Sequence, residues 1–124
     1  MKILDQNIKK RNSIASIYNK KLKGLPLVLP KINNIKDYRD VYNSYVIRTK
    51  KQFKLFKYLR EKKIEALINW PKPLYKHKGL KLGKIYLKNT EKICSEIISL
   101  PIFPEIKNKE IDYIVSTIKG FFRG

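Results

Sequence analysis

Three side chains able to engage a ligand, Trp70, Tyr75 and His77, fall within one stretch that reads Trp70-Pro71-Lys72-Pro73-Leu74-Tyr75-Lys76-His77-Lys78. The indole and phenol offer flat apolar faces, and Tyr75 adds a hydroxyl that both donates and accepts. His77 carries the chain's single imidazole, the one side chain that ordinarily titrates near neutrality. A second proline-bound stretch, Ser99-Leu100-Pro101-Ile102-Phe103-Pro104-Glu105, lies further along. Each proline removes a backbone donor and fixes φ, so both stretches must be extended or turning pieces laid against something else. Paired loops at the edge of a site fit that description, and so does a hydrophobic plug built on Trp70.

The rest of the catalytic repertoire is thin. His77 and Cys94 are the only members of their types, and no acidic residue is placed to orient the imidazole. One cysteine makes no intrachain disulfide, and one His with one Cys makes no zinc site. Glu61 and Glu65 read as surface charge across a helix end, and Glu96 is expected to pair with Lys92 one turn back. Gly79 and Gly83 are turn glycines, too sparse for a phosphate-cradling loop. No residue is therefore assigned a catalytic, cofactor-binding or metal-binding role.

The 124 residues carry 29 Lys and Arg against 10 Asp and Glu, a net charge of +19. Such a charge invites a nucleic-acid reading. Yet 24 of the basic residues are Lys and 5 are Arg, whereas base-edge and forked phosphate contacts favour Arg. The lysines are scattered along the whole chain beside an excess of Ile, Asn and Tyr, residues that share A/T-rich codons. Nucleotide bias accounts for them, and only nonspecific polyanion affinity is expected. The lone cysteine suits a reducing, cytoplasmic setting. No run approaches the roughly 18 apolar residues of a membrane span and no signal-peptide core opens the chain, so no membrane partner is expected.

The length suits one domain. Apolar positions at three- and four-residue spacing predict a long amphipathic helix over 5–22, ended by Gly24 and Pro26. Asn33-Asn34 is a turn signal. The cluster Tyr45, Val46, Ile47 and Thr49 predicts a strand over 44–49. Thr49 is an N-cap candidate for a helix whose stripe runs through Phe53, Phe56 and Leu59, reinforced by Leu55 and Tyr58, to about Lys62. A second strand is expected over 64–69 and a loop over 70–86. A helix follows, capped by Asn89 or Thr90 and running to about Ser99, and a last helix follows Asn108. The expected architecture is a small α+β or α/β unit with two to four short strands and about four helices, its first helix projecting as if continuing from something.

These motifs, in this order, resemble the carboxy-terminal end of the DegT/DnrJ/StrS family of pyridoxal-phosphate-dependent sugar aminotransferases. Arg11, Ala15, Tyr18 and Leu22 match the family's linking helix, and Val41-Tyr42-Asn43-Ser44-Tyr45-Val46-Ile47-Arg48 is similar to its strand ending Val-Ile-Arg. The Trp70–Lys78 stretch resembles an aromatic-Pro-x-Pro-Leu-His turn, with Tyr75 in the usual His position. Glu91, Ser99-Leu100-Pro101 with Pro104, and Ile111-Asp112-Tyr113-Ile114-Val115 complete the pattern. Lys50-Lys51 stand where the family has Arg-Asp. Lys63 stands where it has Gly, a substitution that costs about 1 kcal/mol if the position needs φ > 0.

The resemblance implies the small domain of a fold-type I aminotransferase, with residues 1–24 as linking helix and 25–124 as domain body. It implies Trp70, Tyr75 and His77 as substrate-side contacts. The cofactor lysine and phosphate donors of such enzymes belong to the large domain, so pyridoxal phosphate is implied for the complete enzyme and not for this chain alone. Three readings follow. The chain is the small-domain portion of a sugar-nucleotide aminotransferase that needs a large-domain partner, for instance from a split gene. It is a small basic nucleic-acid-binding protein. Or it is an inactive remnant.

Overall fold

Helical periodicity and β-branched runs compete in several segments, and the computed structural model, which describes residues 2–32 and 39–124, resolves each of them. The first helix, α1 (Lys2–Leu22), buries Ile14, Ala15, Tyr18 and Leu22 on one face. It begins three residues before the expected start and stops before Gly24, whose φ of 90° few other residues would accept. The Asn33-Asn34 turn signal lies outside the described residues.

Two strands, β1 (Tyr45–Arg48) and β2 (Ile97–Leu100), pair antiparallel with Tyr45 opposite Leu100 and Ile47 opposite Ile98. Tyr45 and Ile47 point into the core while Val46 and Arg48 are half-buried, the alternation expected of a pleated strand. Each outer edge is closed by a single bridge, Val28 to Arg48 on one side and Leu67 to Ser99 on the other. The strand expected over 64–69 is thus reduced to one residue. The N–H of Ala66 bonds back to the carbonyl of Ile64 at 2.9 Å, a tight turn that bends the segment off the ladder.

A larger departure concerns 97–99, expected as helix and found as strand. Helix α3 (Lys88–Cys94) starts with Asn89 and Thr90 already inside it and ends as Ser95 Oγ donates to the carbonyl of Lys92 at 2.7 Å. Gln52 Nε2 then donates to the carbonyls of Cys94 at 2.9 Å and Ile97 at 2.8 Å, satisfying the acceptors left at the helix end. Ile97 and Ile98 fit a helical stripe and a strand equally well by spacing. Pairing with Arg48 and Ile47 decides between them.

Helix α2 (Gln52–Glu61) buries Leu55 and Leu59 and packs Phe56 against the core, while Phe53, expected on the same stripe, is 70% exposed. Thr49 does not cap this helix; its Oγ1 accepts the N–H of Lys51 at 3.1 Å, ahead of the first turn. Lys63 takes φ 62°, the left-handed conformation anticipated for a residue standing in a glycine position. The last helix, α4 (Asn108–Arg123), buries Ile111, Ile114, Val115, Thr117 and Ile118. Its start is fixed by Glu110, whose carboxylate accepts the N–H of Lys107 at 2.7 Å.

The core joins these elements around Tyr18 and Tyr45, both fully buried, with ring centroids 4.8 Å apart. Tyr18 Oη donates to the carbonyl of Pro101 at 2.7 Å, and Tyr45 Oη donates to Asn19 Oδ1. Burial raises the pKa of both phenols. Arg48 pairs with Glu96 at 2.9 Å, so Glu96 does not take Lys92 as its partner.

Candidate functional site

The prolines act first on the stretch that follows Leu67. Pro71 and Pro73 forbid regular helix or ladder, and the chain instead makes two single turns of 3₁₀ helix, at Leu74–Lys76 and Lys78–Leu80. Pro73 is buried and anchors the first turn. Lys81 with φ 48° and Gly83 with φ 77° then reverse the chain toward α3.

The base of this loop is fastened at Tyr75. Its Oη donates to Glu91 Oε1 at 2.8 Å and accepts the N–H of Leu87 at 3.1 Å. The second carboxylate oxygen of Glu91 accepts Lys76 Nζ at 2.9 Å. One carboxylate on α3 therefore ties two neighbouring loop residues to the point where the loop returns. The charge-assisted bond from Lys76 holds the Glu91 carboxyl below its ordinary range, and Glu91 pushes Lys76 up in turn. The pKa of Tyr75 is raised, through desolvation first and the nearby carboxylate second.

Above this fastening lies an open hollow of about 630 Å³. Tyr75 and His77 line it together, whereas Trp70 is not among its lining residues and stands 57% exposed just before the loop. The remaining wall is mostly basic: Lys76, Lys78, Lys81 and Lys84 contribute, and no acidic residue does. Neither the basic wall nor the role of Glu91 in holding Tyr75 was anticipated from the sequence. The wall did have a signal, a lysine at every third position from 78 to 84. The contact between Tyr75 and Glu91 had none, since it joins residues sixteen apart through an irregular loop.

Among the described residues no group of three or more His, Cys, Asp and Glu side chains could hold a metal ion, and no helix is long and apolar enough to cross a membrane. The arrangement suits an anionic or polyhydroxylated ligand, with cations and hydrogen-bonding groups beside two aromatic faces.

Comparison with known proteins gives this geometry its setting. The model of the DegT/DnrJ/EryC1/StrS aminotransferase family matches residues 1–119. A pleiotropic regulatory protein of Geobacillus stearothermophilus is 32% identical over 97% of this chain and 33% of its own length. The dTDP-3-amino-3,6-dideoxy-alpha-D-galactopyranose transaminase of Aneurinibacillus thermoaerophilus is 29% identical over 95% of this chain and 32% of its own. Among solved structures, a DegT DnrJ EryC1 StrS aminotransferase from Brucella abortus superposes with a TM-score of 0.84 at 26% identity, over 95% of this chain and 32% of that one. The chain thus spans about a third of the length of the relatives it matches.

Proposed function

Since the chain belongs to the DegT/DnrJ/EryC1/StrS aminotransferase family, we propose that it serves as the small domain of a sugar-nucleotide aminotransferase, moving an amino group onto a keto-sugar nucleotide once a large domain, on the same or another polypeptide, completes the site. The observation that carries this reading is a match running along almost the whole chain while spanning a third of each relative. Residues 1–24 are the linking helix and 25–124 the domain body. The nucleic-acid reading has no comparable support.

Aminotransferases of this family use pyridoxal phosphate, which supplies the electron sink for amino transfer when bound. The described residues do not fit that cofactor. A Schiff-base lysine must be able to lose its proton, and Lys76, the lysine fixed at the site, is held protonated by Glu91. A phosphate cradle needs a glycine-rich run, and Gly79 and Gly83 are the only glycines between Trp70 and Tyr86. The cofactor contacts therefore fall to the large domain.

This chain's own contribution is binding and orientation. Trp70, Tyr75 and His77 serve as substrate-side contacts, with the Tyr75 ring held in place by Glu91 and Leu87. The Tyr75 hydroxyl takes no part as a base, because its pKa is raised further from neutrality. The test is to express the chain with the large-domain portion of the Geobacillus stearothermophilus relative, then measure copurification and amino transfer to a keto-sugar nucleotide. Activity is expected from the pair and not from the chain alone. A visible-region pyridoxal band at one site of the isolated chain would overturn the assignment, as would failure to associate with any family large domain.

A further inference from the structure

We propose that residues 74–87 form a strap that opens and closes as one unit, and that the Glu91 carboxylate is the latch holding it to the body of the domain. This goes beyond the small-domain reading and does not depend on it.

The strap is separable because its bonds turn inward. The N–H of His77 donates to the carbonyl of Leu74 at 3.1 Å, that of Leu80 to His77 at 3.1 Å, and that of Lys81 to Lys78 at 3.2 Å, so each closes within the segment. Among the described residues, nothing from 77 to 86 makes a hydrogen bond to the helices or strands of the core. Every residue of 78–86 is exposed, and Leu80 and Leu82 each remain 48% so, which apolar side chains packed on a core would not. The hollow agrees with this: all its lining residues lie between 75 and 86, so it is enclosed by the strap itself and not between strap and body. A segment with few buried apolar contacts and solvent-exposed backbone bonds opens at a small fraction of the global unfolding free energy.

The bonds that oppose opening converge on two side chains. Glu91 Oε1 accepts Tyr75 Oη at 2.8 Å and Oε2 accepts Lys76 Nζ at 2.9 Å, so both ties to α3 end on one carboxylate. The bond from the Leu87 N–H to Tyr75 Oη joins the two ends of the strap to each other. The Glu91 side chain is 19% exposed against 48% for that of Lys76, which makes the carboxylate the fixed member of the pair. Removing it frees the strap at once. Tyr75 and His77 ride on the strap and leave together, whereas Trp70 lies outside it.

Trypsin reads the open state, because cleavage needs a locally extended chain and the strap carries lysines at 78, 81 and 84. The full chain is digested under native conditions and the cut sites are mapped by mass spectrometry. Cleavage after Lys81 and Lys84, both distant in sequence from the exchanged residue, is expected to be about tenfold faster in Glu91→Ala, as one neutral and one charged bond at a partly exposed site are lost. Cleavage after Lys54 and Lys57, inside α2, should stay within about twofold of the parent, and the urea midpoint should hold. Glu91→Gln keeps an oxygen for Tyr75 and gives up the charge facing Lys76, so it should fall between parent and Glu91→Ala. Glu105→Ala, the same loss of charge at an exposed site, should leave strap cleavage unchanged. Tyr75→Phe should also speed it, and because it shares a bond with Glu91→Ala, the double variant should fall short of the product of the single effects. Circular dichroism checks each fold, and the ring-preserving Tyr75→Phe tests the latch if Glu91→Ala does not fold. Equal strap cleavage in parent, Glu91→Ala and Tyr75→Phe would overturn the latch, as would a double variant that reaches the full product. Cleavage within α2 rising in step with the strap would show global loosening and overturn the separate unit, and so would acceleration at Lys81 without Lys84.

Discussion

Replacing Tyr18 by Phe removes one oxygen from the centre of the molecule and leaves the ring, with its contact to Tyr45, in place. The ring is fully buried, so shape and apolar area are conserved and the change isolates one hydrogen bond, from Tyr18 Oη to the carbonyl of Pro101 at 2.7 Å. That bond joins α1 to the Ser-Leu-Pro segment 83 positions away. A hydrogen bond of this kind contributes about 1 kcal/mol net, rising to roughly 3 kcal/mol if the abandoned carbonyl stays dry. Pro101 is half-buried, so water recovers part of the loss, and about 1.5 kcal/mol is expected. The folded-to-unfolded ratio should fall by about tenfold. The melting temperature should drop by about 6 °C, using roughly 4 °C per kcal/mol for a domain of this size. The assay is urea unfolding followed by circular dichroism, with the m-value expected to hold. Tyr18→Ala provides scale, since losing the ring should cost roughly 3–5 kcal/mol. An unchanged or raised midpoint for Tyr18→Phe, at constant m, would refute the bond between α1 and Pro101.

The same two tyrosines set the alkaline limit of stability. Burial raises Tyr18 and Tyr45 above the ordinary phenol pKa of 10.0, so above that pH the unfolded chain gives up protons that the folded chain keeps. Their contribution is fully present below the unfolded value and is lost as pH rises from there toward the folded values. Unfolding free energy should therefore fall above about pH 10 with a slope approaching 1.4 kcal/mol per pH unit for each phenol, and the double Phe variant should remove that slope. A profile with no difference between parent and double variant would contradict the burial of these hydroxyls. Lys63 offers a gain in place of a loss. Its φ of 62° suits glycine, so Lys63→Gly should stabilise the protein by about 1 kcal/mol, read as a higher urea midpoint. A lower midpoint would show that the Lys63 side chain contributes more than its backbone strain takes away.

What could be read from sequence follows the range of the interaction involved. The first and last helices were legible because a stripe such as Ile111, Ile114, Val115 and Ile118 records its own period. Lys63 was legible through the resemblance alone, which sets a glycine at that helix end, since nothing in a lysine itself asks for a φ of 62°. Ile97 and Ile98 were misread because their spacing satisfies helix and strand alike, and the choice falls to a ladder with residues almost fifty positions earlier. The strand expected at 64–69 failed for the opposite reason: a three-residue turn at Ile64–Ala66 breaks a segment whose side chains favour extension. At the site, the sequence brought out Tyr75 and His77 as neighbours in one loop. The fixing of Tyr75 by Glu91 depends on how far that loop returns, which no local preference sets.

The continuity of α1 has a mechanical consequence. Ile14 to Leu22 are locked into the core, while Ile3 and Leu4, at the other end of the same unbroken helix, are 74% and 56% exposed. A helix without proline or glycine between those ends has no joint at which to bend. It behaves as a lever arm whose fulcrum is the tyrosine pair. The arm from Ile14 back to Lys2 is about 18 Å, so a tilt of about 10° within the core swings its tip by about 3 Å. Whatever is coupled to that tip would feel small repacking around Tyr18 as displacement.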